Sequence, residues 1–205
     1  MILSKKLNQY AAALAVAGAG AAAQSANAAI VFNSVSINIP STTAGVYLNV
    51  VTGTNATAPA AAPGWDVNPW SSTTLNFFNP AAPAGGVYSR GGATSGVANL
   101  PAGHVVDATN IWTSGGASTT AGWTMNLNSS NNLVGFRFQN EANGNQTHYG
   151  WMRISLSGTL SAQPRAIVEY AYEDQAGVGI QAGVPTPGAA SLLGLAGLAG
   201  IRRRR

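Results

Sequence analysis

Short runs in which apolar and polar residues alternate occupy most of the chain between residues 29 and 183. The run Val35-Ser36-Ile37-Asn38-Ile39 is one example, and Pro40 ends it. Alternation places the apolar side chains on one face of a strand. By this pattern we predict strands at residues 30–39, 46–51, 73–78, 87–90, 123–127, 133–138, 147–157 and 165–172, with a last short strand at 178–180.

Clusters of Gly, Pro, Asn, Ser and Thr separate these runs about every ten residues, and no stretch of this region has a helical apolar period. This arrangement predicts an all-β fold, an antiparallel β-sandwich of jelly-roll or lectin-like type. Residues 93–120 hold only apolar islands, so long loops or short edge strands are expected there. The predicted core draws on Phe136, Phe138, Tyr149, Trp151, Ile154 and Leu156.

Residues 1–28 have the order of a secretory signal peptide. Two lysines precede an apolar run over residues 11–23, and Ala26-Asn27-Ala28 fits a signal peptidase site before Ala29. Such a segment is removed on export and forms no part of the fold. We therefore expect signal peptidase as a partner and a single folded ectodomain over residues 29–183.

The last segment, residues 184–205, has three parts. It opens with Val184, Pro185, Thr186 and Pro187, continues with an uncharged run over residues 189–201, and ends in Arg202, Arg203, Arg204 and Arg205. As a helix, residues 183–201 would rise about 28 Å at roughly 1.5 Å per residue, close to a bilayer core of about 30 Å. The four arginines would stay cytoplasmic. The segment therefore predicts transient association with the inner membrane, and an ordinary C-terminal anchor is the alternative.

This tail resembles the PEP-CTERM sorting signal of Gram-negative bacteria, which combines a Pro-Glu-Pro motif, a short hydrophobic helix and an Arg-rich end. Here Thr186 stands where the family usually has Glu. The resemblance implies that an exosortase-type enzyme processes the protein near the proline motif and releases or transfers it. A second resemblance, to the bodies of many exported PEP-CTERM proteins, rests on the order GFRF, HYGW-x-R and YAYE within residues 133–183. It implies a shared β fold and carries no established activity.

Charge and cysteine content narrow the function further. Residues 29–183 contain four arginines against six acidic residues, a net charge of −2. A nucleic-acid binder needs a concentrated basic face, so that function is rejected. The chain has no cysteine, and the domain must be held by its hydrophobic core alone. Its Asn-, Thr- and Ser-rich surface suits a neutral polar matrix, which makes an extracellular polysaccharide a candidate partner.

Candidate ligand-binding residues lie in the predicted loops. A lectin-like module would stack sugars on Trp65, Trp70 or Trp112 and bind hydroxyl groups through Asp66, Asn68, Asp107 and Asn110. This alternative requires the loop tryptophans to be exposed together on one face. Packing in or beside the core is the ordinary role of such tryptophans. No EF-hand or HExxH motif is present, so we predict no metal and no cofactor.

Catalytic chemistry has little support in the sequence. Glu169 and Glu173 share a strand face and could act as the two carboxyl groups of a glycoside hydrolase. Ion pairs with Arg137, Arg153 or Arg165 are the ordinary role of such acids on a sheet. His148 is expected to be a hydrogen-bonded structural histidine, and no Gly-x-Ser-x-Gly elbow accompanies it. We predict no catalytic residues and no enzymatic activity.

The sequence therefore favours an exported bacterial protein of structural or interaction type, located at the cell surface or in the extracellular matrix. A carbohydrate-binding lectin-like module is the alternative, and a glycoside hydrolase is a remote one.

Overall fold

The computed structural model describes residues 29–80, 87–89 and 96–184. The predicted signal peptide at residues 1–28 lies outside the described residues. So do Pro185, Thr186, Pro187, the predicted sorting helix and Arg202, Arg203, Arg204 and Arg205.

The described chain is mostly β, with thirteen strands and two short 3-10 turns. In chain order the strands are β1 (Ile30–Asn38), β2 (Tyr47–Leu48), β3 (Asn55–Ala56), β4 (Asn68–Trp70), β5 (Asn76–Phe78), β6 (Val87–Ser89), β7 (Val105–Val106), β8 (Trp112–Thr113), β9 (Gly115–Gly116), β10 (Ser129–Asn140), β11 (Gln146–Leu156), β12 (Ala166–Glu173) and β13 (Ile180–Gln181). Every pair of these strands is antiparallel. The predicted all-β antiparallel fold is thereby confirmed. Among the described residues, no helix has the length and hydrophobicity of a membrane span.

A six-stranded sheet in the order β1-β12-β11-β10-β6-β8 is the centre of the fold. Smaller sheets pair β13 with β7, β2 with β3, and β4 with β5 and β9. The four longest strands all belong to the central sheet, and the predictions for residues 30–39, 147–157 and 165–172 are confirmed to within one residue. The predicted strands at 46–51 and 73–78 are shorter, covering only Tyr47–Leu48 and Asn76–Phe78.

The β10–β11 hairpin shows why this part of the chain folds as predicted. The Asn140 side chain accepts a hydrogen bond from the Ala142 N–H at 3.0 Å and caps the turn between the strands. Gly144 follows with a φ of 63°, a conformation that costs glycine little. The turn brings Asn140 opposite Gln146, and the alternating residues of both strands then pair in register as far as Asn132 and Ile154.

Apolar side chains cover both faces of the central sheet. On the first face, Val134, Phe136 and Phe138 of β10 join a core cluster that includes Leu48 and Phe77 from the small sheets. On the second face, a smaller cluster consists of Ala98, Leu100, Val106, Leu133, Tyr149, Trp151, Ala171, Ile180 and Ala182. All six predicted core residues are buried. They are divided between the two faces, because neighbouring residues of a strand point to opposite sides of the sheet.

Two sequence predictions are wrong around residue 130. Residues 123–127 form no strand, and residues 129–132, expected to separate two strands, are the beginning of β10. Asn132 is the cause. Its side chain accepts a hydrogen bond from the Asn126 N–H at 2.6 Å and donates to the Asn126 carbonyl at 3.1 Å. These bonds replace the bonds that a neighbouring strand would have made, so the segment remains a loop.

Arg165 joins distant loops on the first face of the sheet and is fully buried. Its guanidinium donates five hydrogen bonds of 2.6–2.9 Å, all to backbone carbonyl oxygens, and the acceptors are Ile39, Pro40, Ser71, Thr74 and Leu160. Burial lowers the pKa of this side chain. The predicted pairing of Arg165 with an acidic side chain is wrong, because carbonyl groups occupy all five of its N–H donors.

Candidate functional site

Trp65 lies in an aromatic cluster at the edge of the loops that cover the first face. Its ring centroid is 4.8 Å from that of Tyr47 in an edge-to-face arrangement and 5.9 Å from that of Phe78. Trp65 and Tyr47 are half-buried, and 51% of Phe78 is exposed. The three rings present a partly exposed aromatic surface. We call this set (Tyr47, Trp65 and Phe78) the aromatic cluster.

Asp66 and Asn68, predicted as hydroxyl-binding residues, are buried beneath these loops, with 0% and 2% of their surfaces exposed. Asn68 donates from its side chain to the carbonyls of Ala44 and Val46, both at 2.9 Å. Asp66 accepts a hydrogen bond from the Val50 N–H at 2.8 Å. Both side chains therefore hold the loops together from the inside.

The second carboxylate oxygen of Asp66, Oδ1, has no hydrogen-bond partner in the described part of the chain. Burial, with a smaller contribution from the charge of Glu141, raises the pKa of Asp66 to about 8. The protonated carboxyl is favoured because no described cation compensates the buried charge. Within residues 29–80 and 96–184, no three His, Asp or Glu side chains are grouped to hold a metal ion.

Trp70 and Trp112 are half-buried as well. Trp112 packs against the core cluster of the second face, stacked on Tyr149 at 5.9 Å, with the Arg137 guanidinium 4.9 Å from its ring centroid. The chain segment around Trp65 instead supplies residues to the first face. The structure therefore brings Trp65, Asp66 and Asn68 into one group of loops, and places Trp112 with the opposite face. Asp107 accepts two hydrogen bonds from Thr109 within its own loop.

The two carboxyl groups of the hydrolase alternative have separate environments. Glu169 forms an ion pair with Arg153, with Oε1 2.5 Å from Nε. Glu173 is buried, and burial is the main cause of its raised pKa. Glu169 and Glu173 are four positions apart on β12, so their Cα atoms lie about 13 Å from each other. This arrangement suits the pairing role expected of Glu169 and provides no shared cleft for the two acids.

His148 has the structural role that the sequence predicts. It is fully buried, stacked on Phe138 at 5.5 Å, and its Nδ1 lies 2.9 Å from the Glu173 carbonyl oxygen. A carbonyl can only accept, so Nδ1 carries the proton and donates. Nε2 then accepts from the Asn143 amide at 3.4 Å. Both ring nitrogens are occupied, and neither is available as a catalytic base.

A cavity that sequence reasoning missed lies beside Trp123, in the loops that precede β10. It has a volume of about 480 Å³ and is lined by Trp123, Asn99, Thr124, Asn126 and Asn131, together with Gly122 and residues 100–102. We call it the Trp123 cavity. A second cavity of about 330 Å³ lies between residues 49–52 and Glu141. The sequence feature that could have indicated this cavity is the high number of asparagines next to residues 123–127, which form no strand.

Comparison with models of known protein families, with curated proteins and with solved structures finds no match for this chain.

Proposed function

We propose that this chain is an exported, non-enzymatic bacterial protein of structural or interaction type, sorted by a PEP-CTERM-like tail to the cell surface or extracellular matrix. The observation that supports the proposal is that contacts of the described domain extend from Ala29 to Gly183, so cutting at the two predicted processing sites would spare them. Signal peptidase and an exosortase-type enzyme are the proposed processing partners, and the inner membrane is a transient location.

At the amino-terminal side, Ala29, the first described residue, follows the predicted signal peptidase site and is already bonded into the domain. The Ala29 N–H donates to Asp174 Oδ1 at 2.8 Å, and the Asp174 N–H donates to the Ala29 carbonyl at 3.1 Å. Strand β1 then begins at Ile30. Cleavage before Ala29 would leave the whole strand intact and place the new α-amino group beside an acidic side chain.

At the carboxyl-terminal side, the described chain is still packed on the core just before the predicted sorting motif. Ala182 is fully buried, and its N–H donates to the His104 carbonyl at 2.9 Å. At Gly183, a Cβ atom would lie 2.6 Å from Leu133 Cδ1, so the backbone packs directly on the core. Processing near Pro185 would therefore remove no residue of the described core.

We further propose that the small sheets form the second layer of a β-sandwich over the first face of the central sheet. Leu48 of β2 and Phe77 of β5 support this arrangement, because both pack in the same cluster as Phe136 and Phe138. A domain with this core needs no disulfide to be stable outside the cell.

A carbohydrate-binding module is the second candidate function. Trp112 packs on the opposite face and does not join Trp65, so only the aromatic cluster around Trp65 favours this function. Aromatic side chains that keep one surface exposed are typical of binding sites, where they supply large contact areas at a low entropic cost. The aromatic cluster around Trp65 retains such a surface. Asp66 and Asn68 would support this surface from beneath.

The proposed function is tested by measuring the intact mass of the protein recovered from outside producing cells that carry an exosortase-type enzyme. We expect a chain that starts at Ala29 and ends near Val184. A species that retains Arg202–Arg205 would refute the sorting proposal and leave an ordinary membrane anchor. Material that still contains residues 1–28 would refute the predicted signal peptidase site.

Proline variants provide a matched control for this test. Pro185→Ala together with Pro187→Ala is expected to leave the tail attached and the protein in the membrane fraction. Pro101→Ala, at an exposed loop position of the folded domain, is expected to be processed like the natural chain. Equal processing of both variants would show that the proline motif is not what the enzyme recognises.

A further inference from the structure

We propose that the Trp123 cavity is a binding site for a neutral saccharide. The inference rests on the carbohydrate-binding candidate function and goes beyond it, because it names a second sugar site apart from the aromatic cluster around Trp65.

The cavity has the size and composition of a small-ligand site. Its volume of about 480 Å³ falls within the range of about 300–1,000 Å³ that is common for ligand pockets. Trp123 is half-buried and packs against the core of the second face, so the indole that lines the cavity is anchored from behind. A sugar ring has an apolar face, and an anchored aromatic ring is the surface that such a face stacks on.

Two polar atoms at the rim have no partner within the described part of the chain. Asn126 uses its Nδ2 to donate to the Asn131 carbonyl at 2.8 Å, which leaves Asn126 Oδ1 free to accept. Asn131 uses its Oδ1 to accept from Arg153 Nη1 at 3.1 Å, which leaves Asn131 Nδ2 free to donate. The rim thus offers one acceptor and one donor, and a sugar hydroxyl group can both donate and accept.

The frame of the cavity is held by buried amide groups. Asn132 is fully buried, and its side chain bonds both backbone groups of Asn126 as well as the carbonyls of Ser129 and Ile154. Asn99 accepts from the Leu133 N–H at 2.9 Å and donates to the Thr124 carbonyl at 3.2 Å. These bonds fix the loop before a ligand arrives, which lowers the entropic cost of binding.

The charge of the surroundings selects a neutral ligand. The lining contains amide, hydroxyl, aromatic and aliphatic groups and no ionisable side chain. Among the described residues, the cation bonded to the rim is Arg153, whose charge Glu169 compensates through an ion pair. An anionic sugar would therefore lose water at its carboxylate and find no uncompensated cation among the described residues of the site. The cavity beside Glu141 has an acidic border and no aromatic side chain in its lining.

The test uses the full chain in a detergent without sugar groups and measures binding by isothermal titration calorimetry. Cellohexaose, mannohexaose and chitohexaose serve as neutral probes, and an oligogalacturonate of equal length serves as the anionic comparison. We expect at least one neutral probe to bind and the anionic one to bind at least tenfold more weakly. The variants Trp123→Ala and Asn131→Asp are each expected to weaken binding about tenfold, since about 1.4 kcal/mol corresponds to a factor of ten.

Phe32→Ala is the control, because it removes an aromatic ring that is 41% exposed and does not line the cavity. It is expected to leave binding unchanged, and urea unfolding curves confirm that each variant is folded. If Trp65→Ala abolishes binding while Trp123→Ala does not, the proposed site is refuted and the carbohydrate-binding function survives. If the natural chain binds none of the probes, the site is refuted, while the measured mass of the exported protein still decides the sorting proposal independently.

Discussion

Replacing Arg165 is the most direct test of how this cysteine-free domain is held together. The side chain is fully buried and joins the loops at Ile39–Pro40, Ser71–Thr74 and Leu160 through five hydrogen bonds. Arg165→Met keeps most of the apolar stem and removes every donor. Arg165→Lys keeps a charge but offers at most three donors in place of five.

The magnitude follows from the carbonyl groups left without a partner. At about 1 kcal/mol for each lost bond, five bonds amount to about 5 kcal/mol, and relief of the buried charge offsets part of this. We expect Arg165→Met to lower the free energy of unfolding by about 4 kcal/mol and Arg165→Lys to lower it by about 2 kcal/mol. Against a total of about 5–15 kcal/mol for a domain, the first change removes much of the stability.

Urea unfolding followed by tryptophan fluorescence measures both values. With an m-value of about 2 kcal/mol/M, the midpoint should fall by about 2 M for Arg165→Met and about 1 M for Arg165→Lys. Arg153→Met is the control, because its ion pair with Glu169 is part-exposed, with 22% and 24% of the side chains accessible. Such pairs contribute about 0–1 kcal/mol. A urea midpoint for Arg165→Met equal to that of Arg153→Met would refute the idea that the hydrogen bonds of Arg165 stabilise the domain.

Two further predictions concern pH and backbone packing. The pKa of Asp66 is raised from 3.8 to about 8 by burial, so the folded state binds this proton more tightly than the unfolded state and stability falls as pH rises from about 4 to 8. The urea midpoint of the natural protein should therefore fall between pH 5 and 8, and that of Asp66→Asn should fall less. A smaller pH dependence should remain in the variant because the pKa of Glu173 is also raised. The same pH dependence in both proteins would contradict this prediction. At Gly150 an added Cβ would lie 2.4 Å from Phe136 Cζ, so Gly150→Ala should cost about 2–3 kcal/mol. Gly158→Ala, where the nearest atom would be 3.7 Å away, should cost less than about 1 kcal/mol, and equal thermal midpoints for the two variants would contradict the clash.

The long strands of the central sheet could be predicted because their information is local. Alternation along residues 147–157 places Trp151 on one face and Met152 on the other, and the Asn140–Gly144 turn determines the register of the hairpin. Both signals come from residues close together in sequence, where backbone geometry alone connects pattern to structure.

The candidate sites depended on partners that are distant in sequence. Trp123 stands in a run that alternates like a strand, but Asn132 binds the backbone of Asn126 and turns the segment into the wall of a cavity. The sequence places Asp66 in a loop, but in the structure it is fully buried and accepts a hydrogen bond from the Val50 N–H.

The sequence by itself thus determined the antiparallel β class, the central strands and the absence of disulfides, because periodicity and composition are properties of the chain alone. The tertiary structure decided that the central sheet is covered on both faces, that Trp65 and Trp112 are separated, and that Arg165 is held by carbonyl groups. These features depend on contacts between residues up to 126 positions apart. Contacts over such separations produce no repeating pattern in the sequence, because any of several polar residues could donate a hydrogen bond to the same buried carbonyl group.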